Sequence, residues 1–157
     1  MSGPLFDAER PGFRDGTGDV AHRSRSILKE VFGYDSFRPP QEEIVEHVGA
    51  GGDAFVLLPT GGGKSLCYQI PALVREGAGL VVSPLIALMD DQVSALRENG
   101  VRAAAIHSGL DGKTSWRNER ELEEGRLDVV YVAPERVLSD RFQEVLKRSK
   151  LSVIAID

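Results

Sequence analysis

The chain has 157 residues and a formal net charge of −5, with 41% apolar, 27% charged and only 6% aromatic residues. That length suits about one domain with a real core, burying roughly 70% of its unfolded surface, and the balance excludes collagen-like, mucin-like and wholly disordered chains. The acidic balance argues against coating nucleic acid by bulk attraction, so any such partner has to be met through a local patch.

Residues 1–22 carry Pro4, Pro11 and the glycines Gly3, Gly12, Gly16 and Gly18 among alternating charges, with no period of 3.6 or 2. They read as a flexible leader before a domain spanning 23–157. The stretch from Met1 lacks a basic segment followed by an apolar one, and no apolar run reaches the ~18–20 residues of a membrane span. The expectation is an intracellular protein with no membrane partner, cytoplasmic and nucleoid-associated in a bacterium or nuclear in a eukaryote. From Arg23, Ile27, Leu28, Val31 and Phe32 recur at helical spacing until Gly33, and Ile44, Val45 and Val48 repeat the signal after Pro39-Pro40.

Short apolar runs then predict buried parallel strands at Ala54–Leu58, Gly79–Ser83, Arg102–Ile106, Asp128–Val132 and Ser152–Ile156. Between them, Pro84–Asn99 places Leu85, Leu88, Met89, Val93 and Leu96 on one helical face before Gly100. Pro134 suits the first position of a further helix striped by Val137, Leu138, Phe142, Val145 and Leu146. Arg117, Arg120 and Arg126 alternate with Glu119, Glu121, Glu123 and Glu124, which reads as a solvated helix face. Alternating strands and helices imply an α/β fold: a parallel sheet with helices on both faces and ligands beyond the carboxyl ends of the strands. His22, His47 and His107 show no zinc spacing, and Cys67, the single cysteine, reads as a small apolar filler in a helix.

The chemistry concentrates in Leu58-Pro59-Thr60-Gly61-Gly62-Gly63-Lys64-Ser65, between a predicted strand and a helix-compatible run through Cys67, Ile70 and Leu73. Successive glycines remove the Cβ atoms that block a tight loop, so backbone N–H groups can converge on phosphate oxygens at a helix N-terminus. Lys64 supplies a point charge for the β/γ-phosphates, and the Ser65 hydroxyl is placed to ligate Mg²⁺. The pattern GxxxxGK[ST] wants glycine at 58, where this chain has leucine.

The stretch FVLLPTGGGKSLCYQIPAL from Phe55 resembles motif I of superfamily-two helicases, and specifically that of the RecQ family of DNA helicases, where the first glycine is commonly replaced. Upstream, LKEVFGYDSFRPPQEEIV from Leu28 resembles that family's adenine-recognition motif. The resemblance puts Gln41 on the base edge, with Tyr34 and Arg38 on its two faces. An amide does match the N6–H and N7 edge of adenine, and a ring and a guanidinium both stack on purines. Taken alone, Tyr34 and Phe37 suit a core, and Gln41 a solvated helix, better than a base site; beside the phosphate cradle the adenine-reading role is the better account. VVSPLIALMDDQV from Val81 resembles motif Ia, whose turn in the family contacts single-stranded DNA; this implies contacts at Ser83, Pro84 and Leu85, with Asp90 standing where the family often has lysine. YVAPERVL from Tyr131 resembles a later DNA-contacting motif, which would add Pro134 and Glu135, although ordinary helix capping explains those residues as well.

VIAID at the C-terminus resembles the strand and first acid of motif II, which implies that Asp157 holds Mg²⁺ beside Ser65 and acts with Lys64 in catalysis. The resemblance therefore implies a three-layer RecA-like P-loop domain, incomplete at its C-terminus. It also implies ATP and Mg²⁺ as cofactors, single-stranded DNA and duplex junctions as partners, and 3′–5′ unwinding driven by ATP hydrolysis. The glutamate that follows the aspartate in the family is not in this chain, so the isolated chain is expected to be inactive and its sheet to carry a gap beside the motif II strand. Another P-loop enzyme, or a module that only binds nucleotide or DNA, stays open as an alternative.

Overall fold

Asp19 sets the first helix, α1 (Val20–Glu30): its Oδ1 accepts the His22 N–H at 2.7 Å and satisfies an amide with no partner inside the helix. The helix thus starts three residues before the expected domain boundary, so 20–22 are not part of a leader. The computed structural model describes residues 19–59, 61 and 63–157; the rest of that leader lies outside the described residues, as do Thr60 and Gly62. Helix α2 (Gln41–Gly49) follows, and both helices pack on α3 (Leu66–Val74).

Four strands form one parallel sheet: β1 (Ala78–Val82), β2 (Ala103–Ile106), β3 (Val129–Val132) and β4 (Leu151–Ile156), in the order β2-β3-β1-β4. Leu80 lies opposite both Val130 and Ile154, which fixes the register of β1 with both its neighbours, β3 and β4. Helices α4 (Ile86–Glu98), α5 (Gly112–Glu123), α6 (Pro134–Val137) and α7 (Asp140–Lys147) complete the described elements. Because side chains alternate along a strand, Val81, Ala105 and Tyr131 face a core shared with α1–α4, while Leu80, Ile106 and Val130 face one shared with Leu122, Phe142 and Val145 of α5 and α7. This is the expected three-layer α/β arrangement.

Close approach between layers depends on small residues. A Cβ on Gly79 would sit 2.5 Å from the Ala72 Cβ, so glycine at 79 lets α3 lie against the sheet. Ser152 of β4 adds a bond to the same place, its hydroxyl donating to the Ala72 carbonyl at 3.1 Å. At the other edge, the fully buried Asp128 carboxylate accepts the Arg102 backbone N–H at 3.0 Å and is paired with the Arg102 guanidinium at 3.0 Å, joining the starts of β2 and β3.

Two expectations need correction. The single helix after Pro134 is broken at Leu138–Ser139: Ser139 Oγ accepts the Phe142 N–H at 3.3 Å and starts α7 anew, and Leu138 turns out to 79% exposure. A serine that caps breaks the apolar stripe the spacing suggests. Residues 54–58 form no strand among the described residues; Phe55 and Leu57 are 90% and 82% exposed. A cleft of about 680 Å³ separates Ala54, Phe55 and Val56 from Val153–Asp157, so the gap expected beside β4 is present. Both the cleft and the unpaired edge of β4 leave Ile154 and Ile156 exposed, at 62% and 79%.

Phe142→Ala is expected to lower stability by about 3–5 kcal/mol in urea unfolding, because Phe142 is fully buried. Ile154→Thr should change it by no more than about 0.5 kcal/mol and reduce concentration-dependent aggregation in light scattering, since it removes an apolar group from an open sheet edge.

Candidate functional site

The glycine-rich loop that precedes α3 takes a conformation that side chains resist. Gly61 and Gly63 have φ of +81° and +76°, in the left-handed region where a Cβ meets the following carbonyl. Gly63 is constrained a second time, since a Cβ there would lie 2.1 Å from Gln41 Nε2. Glycine at these positions is therefore a steric requirement of the loop.

The loop is held from the α1–α2 connection. Gln41 is 3% exposed; its Nε2 donates to the Gly63 carbonyl at 3.1 Å and its Oε1 accepts the Arg38 N–H at 2.8 Å. Arg38 Nη1 donates to the Gly61 carbonyl at 3.0 Å. A solvated helix position for Gln41, the bland alternative, is thereby excluded. These contacts border a pocket of about 460 Å³ lined by Tyr34, Arg38, Gln41, Lys64, Ser65 and Asp157. Tyr34 is 52% exposed, with its ring outside the core. Every described residue that the motifs singled out for nucleotide thus meets in one place; Thr60 and Gly62 lie outside the described residues.

The chemistry of this pocket suits a polyphosphate. Lys64 is exposed at its rim, and the start of α3, the positive end of that helix's dipole, lines it through Ser65 and Leu66. Ser65 occupies the N-cap of α3 without a side-chain capping bond, so its hydroxyl is not spent on its own helix. Ser65 and Asp157 supply one hydroxyl and one carboxylate, oxygen donors that fit Mg²⁺ only when phosphate oxygens and waters complete the shell. Among the described residues no group of three or more His, Cys, Asp or Glu could hold a metal without them.

A second set of residues lies at the carboxyl ends of the neighbouring strands β1 and β3. Ser83 is 2% exposed and its Oγ accepts the Leu85 N–H at 3.4 Å, so it shapes the turn from inside, while Pro84 and Leu85 face outward. Pro134 opens α6 and Glu135 beside it is exposed. Since β1 and β3 are paired, the two turns stand side by side. Asp90 turns to His107, whose Nδ1 accepts the Gly109 N–H at 3.0 Å while Nε2 donates to Asp90 Oδ1 at 3.1 Å.

Charge spacing misplaced one residue. Glu119, read as solvated, is 3% exposed and paired with Arg141 at 3.0 Å and Arg136 at 3.6 Å, bracing the turn that carries Pro134 and Glu135. Its period along α5 relative to Ser115 and Leu122, both buried, is the signal that marks it as inward-facing. The sequence also gave no sign of a buried polar cluster behind the pocket. Tyr68 and Tyr131 hydroxyls lie 3.1 Å apart, and Gln69 Nε2 reaches both Tyr131 at 2.9 Å and Gln92 Oε1 at 3.0 Å. Burial pushes both tyrosine hydroxyls above their ordinary value, with the Asp157 charge adding to the effect. Burial likewise raises the Cys67 thiol, which keeps it protonated and unreactive, as its filler role requires.

Residues 38–157 match the profile of the DEAD/DEAH box helicase family. Among curated proteins, the ATP-dependent DNA helicase RecQ of Haemophilus influenzae is 47% identical over 132 residues, covering 84% of this chain and 21% of its own length. RecQ of Bacillus subtilis is 44% identical over 139 residues, covering 88% of this chain and 24% of its own. The rat ATP-dependent DNA helicase Q5 is 41% identical, covering 88% and 15%. The chain thus spans about a fifth to a quarter of the length of its bacterial curated relatives. A crystal structure described as a hypothetical ATP-dependent RNA helicase from Sulfolobus tokodaii superposes with a TM-score of 0.68 at 25% identity, covering 85% of this chain and 40% of that one.

Gly63→Ala is expected to destabilise the chain by about 1–2 kcal/mol or more, because it combines a left-handed residue with the collision at Gln41. Gly112→Ala, at the start of α5 with nothing within 4 Å of the new Cβ, should instead stabilise by about 0.5 kcal/mol. Urea unfolding of the two variants side by side measures the difference.

Proposed function

Because this chain belongs to the DEAD/DEAH box helicase family, we propose that it forms the nucleotide-binding part of an ATP-dependent DNA helicase of RecQ type, coupling ATP hydrolysis to 3′–5′ strand separation. The observation that carries the reading is the linkage of Gln41 and Arg38 to the Gly63 and Gly61 carbonyls, which ties a base-reading element to a phosphate-binding loop at fixed distance.

In this proposal the loop amides and Lys64 bind the triphosphate, and the pocket restricts its orientation. Lys64 places positive charge where the β- and γ-phosphate oxygens lie, and the fixed amides stabilise charge that develops on transfer. Ser65 and Asp157 would hold Mg²⁺ against those oxygens, and the ion, when bound, neutralises phosphate charge. Gln41 reads the adenine edge from the end of α2, while Tyr34 and Arg38 flank the ring. The paired turns at Pro84–Leu85 and Pro134–Glu135 meet single-stranded DNA, with duplex junctions as the substrate. Backbone amides and apolar surface there contact the strand without regard to sequence. The placement of these turns beside the nucleotide pocket, rather than across the sheet from it, supports a motor in which one ligand bears on the other.

In the full-length protein, Lys64→Ala is expected to weaken ATP binding by about tenfold or more, as measured with a fluorescent ATP analogue, since it removes a charge-assisted contact. Gln41→Ala should reduce the preference for ATP over GTP by about tenfold while leaving GTP binding near its original level. Equal use of ATP and GTP by the unaltered protein would remove the adenine-reading role.

A further inference from the structure

The buried polar cluster behind the nucleotide pocket has no part in the ligand contacts proposed above. Tyr68 and Gln69 belong to α3, Gln92 to α4 and Tyr131 to β3. Tyr68 and Gln92 also line the pocket that holds Lys64, Ser65 and Asp157, whereas Tyr131 is 1% exposed and Gln69 3%. The cluster therefore joins three elements: the helix that starts at the glycine-rich loop, the helix that follows the Ser83–Leu85 turn, and the strand that runs into Pro134 and Glu135.

Its hydrogen bonding is compatible with two arrangements. Gln69 Nε2 has two protons and directs them to Tyr131 and Gln92, which leaves the direction of the bond between the two hydroxyls unassigned. Either tyrosine can donate to the other. When Tyr131 donates, the Tyr68 proton is turned to the pocket; when Tyr68 donates, its lone pairs face the pocket instead. Asp157 lines the same pocket as Tyr68, so a change of charge there bears on the Tyr68 end of the bond. The two rings meet edge to face with centroids 6.4 Å apart, and that packing survives removal of an oxygen.

We infer that the Tyr68–Tyr131–Gln69–Gln92 cluster couples occupancy of the nucleotide pocket to the two DNA-facing turns, with Tyr131 as a positioning residue that contacts neither ligand. The inference rests on the function proposed above. It takes the cluster as a contiguous hydrogen-bonded element with two states, one of which nucleotide favours. A purely structural cluster would hold the three elements together without making DNA affinity depend on nucleotide.

The test uses the full-length protein and a fluorescein-labelled oligothymidine, whose affinity is measured by anisotropy without nucleotide and with saturating AMPPNP. The ratio of the two affinities is the coupling factor. Tyr131→Phe is expected to bring that factor toward one by about threefold or more, while binding of AMPPNP alone and of the oligonucleotide alone stays within about twofold. Gln69→Met breaks the same chain at a buried residue that does not line the pocket, gives the same direction of change, and serves if Tyr131→Phe does not fold. A wild-type factor in the foldable variants overturns the inference, as does a tenfold loss of either ligand measured alone, which marks the cluster as structural. An unaltered protein whose oligothymidine affinity ignores AMPPNP also overturns it, yet leaves the proposed function standing so long as Lys64-dependent ATP binding is present. Absence of that binding sinks the function itself.

Discussion

The structure turns on the grip of one amide. Gln41 fills the space that any side chain at 63 would need, and it ties the connection between the first two helices to the glycine loop. A loop of this kind has little intrinsic stability, because glycine loses more conformational freedom on ordering than other residues. The restraint has to come from outside the loop, and here it comes from a buried side chain whose own backbone is set by α2. Shaping the loop and fixing the connection that leads to α2 are then two uses of one residue.

The layered α/β fold was legible because the signals that specify it are local and periodic. Four of the five apolar runs are strands within one residue of their expected ends; β1, β2 and β3 are buried on both faces and so apolar throughout, whereas β4 leaves Ile154 and Ile156 exposed. The fifth, 54–58, has the same composition but no strand. A strand is made by its neighbours, and composition carries no information on whether a neighbour is present. The broken helix at Ser139 failed for a different reason: a serine competing for a backbone amide outweighed the continuity of the apolar stripe.

Site residues were legible in proportion to how far their chemistry depends on sequence neighbours. Gly61, Gly63, Lys64 and Ser65 stand together in the chain, and their geometry follows from that order. Gln41 was legible only through resemblance, because nothing local says that its amide reaches a loop more than twenty residues away. Glu119, Gln69 and Tyr131 were not legible. Each is a polar or amphipathic residue buried against partners brought together by the fold, and single-residue type does not distinguish such a residue from a solvated one.

The Ser152 hydroxyl on the Ala72 carbonyl, together with the glycine at 79 that lets α3 lie against the sheet, has a mechanical consequence. Ala72 lies one turn beyond Tyr68 on α3, and Ser152 lies on the same strand that leads to Asp157. Helix and strand are thereby clamped at their far ends. The carboxylate at 157 and the first turn of α3 are both referred to one fixed point, and the spacing between them is set by the lengths of the two elements that run from it.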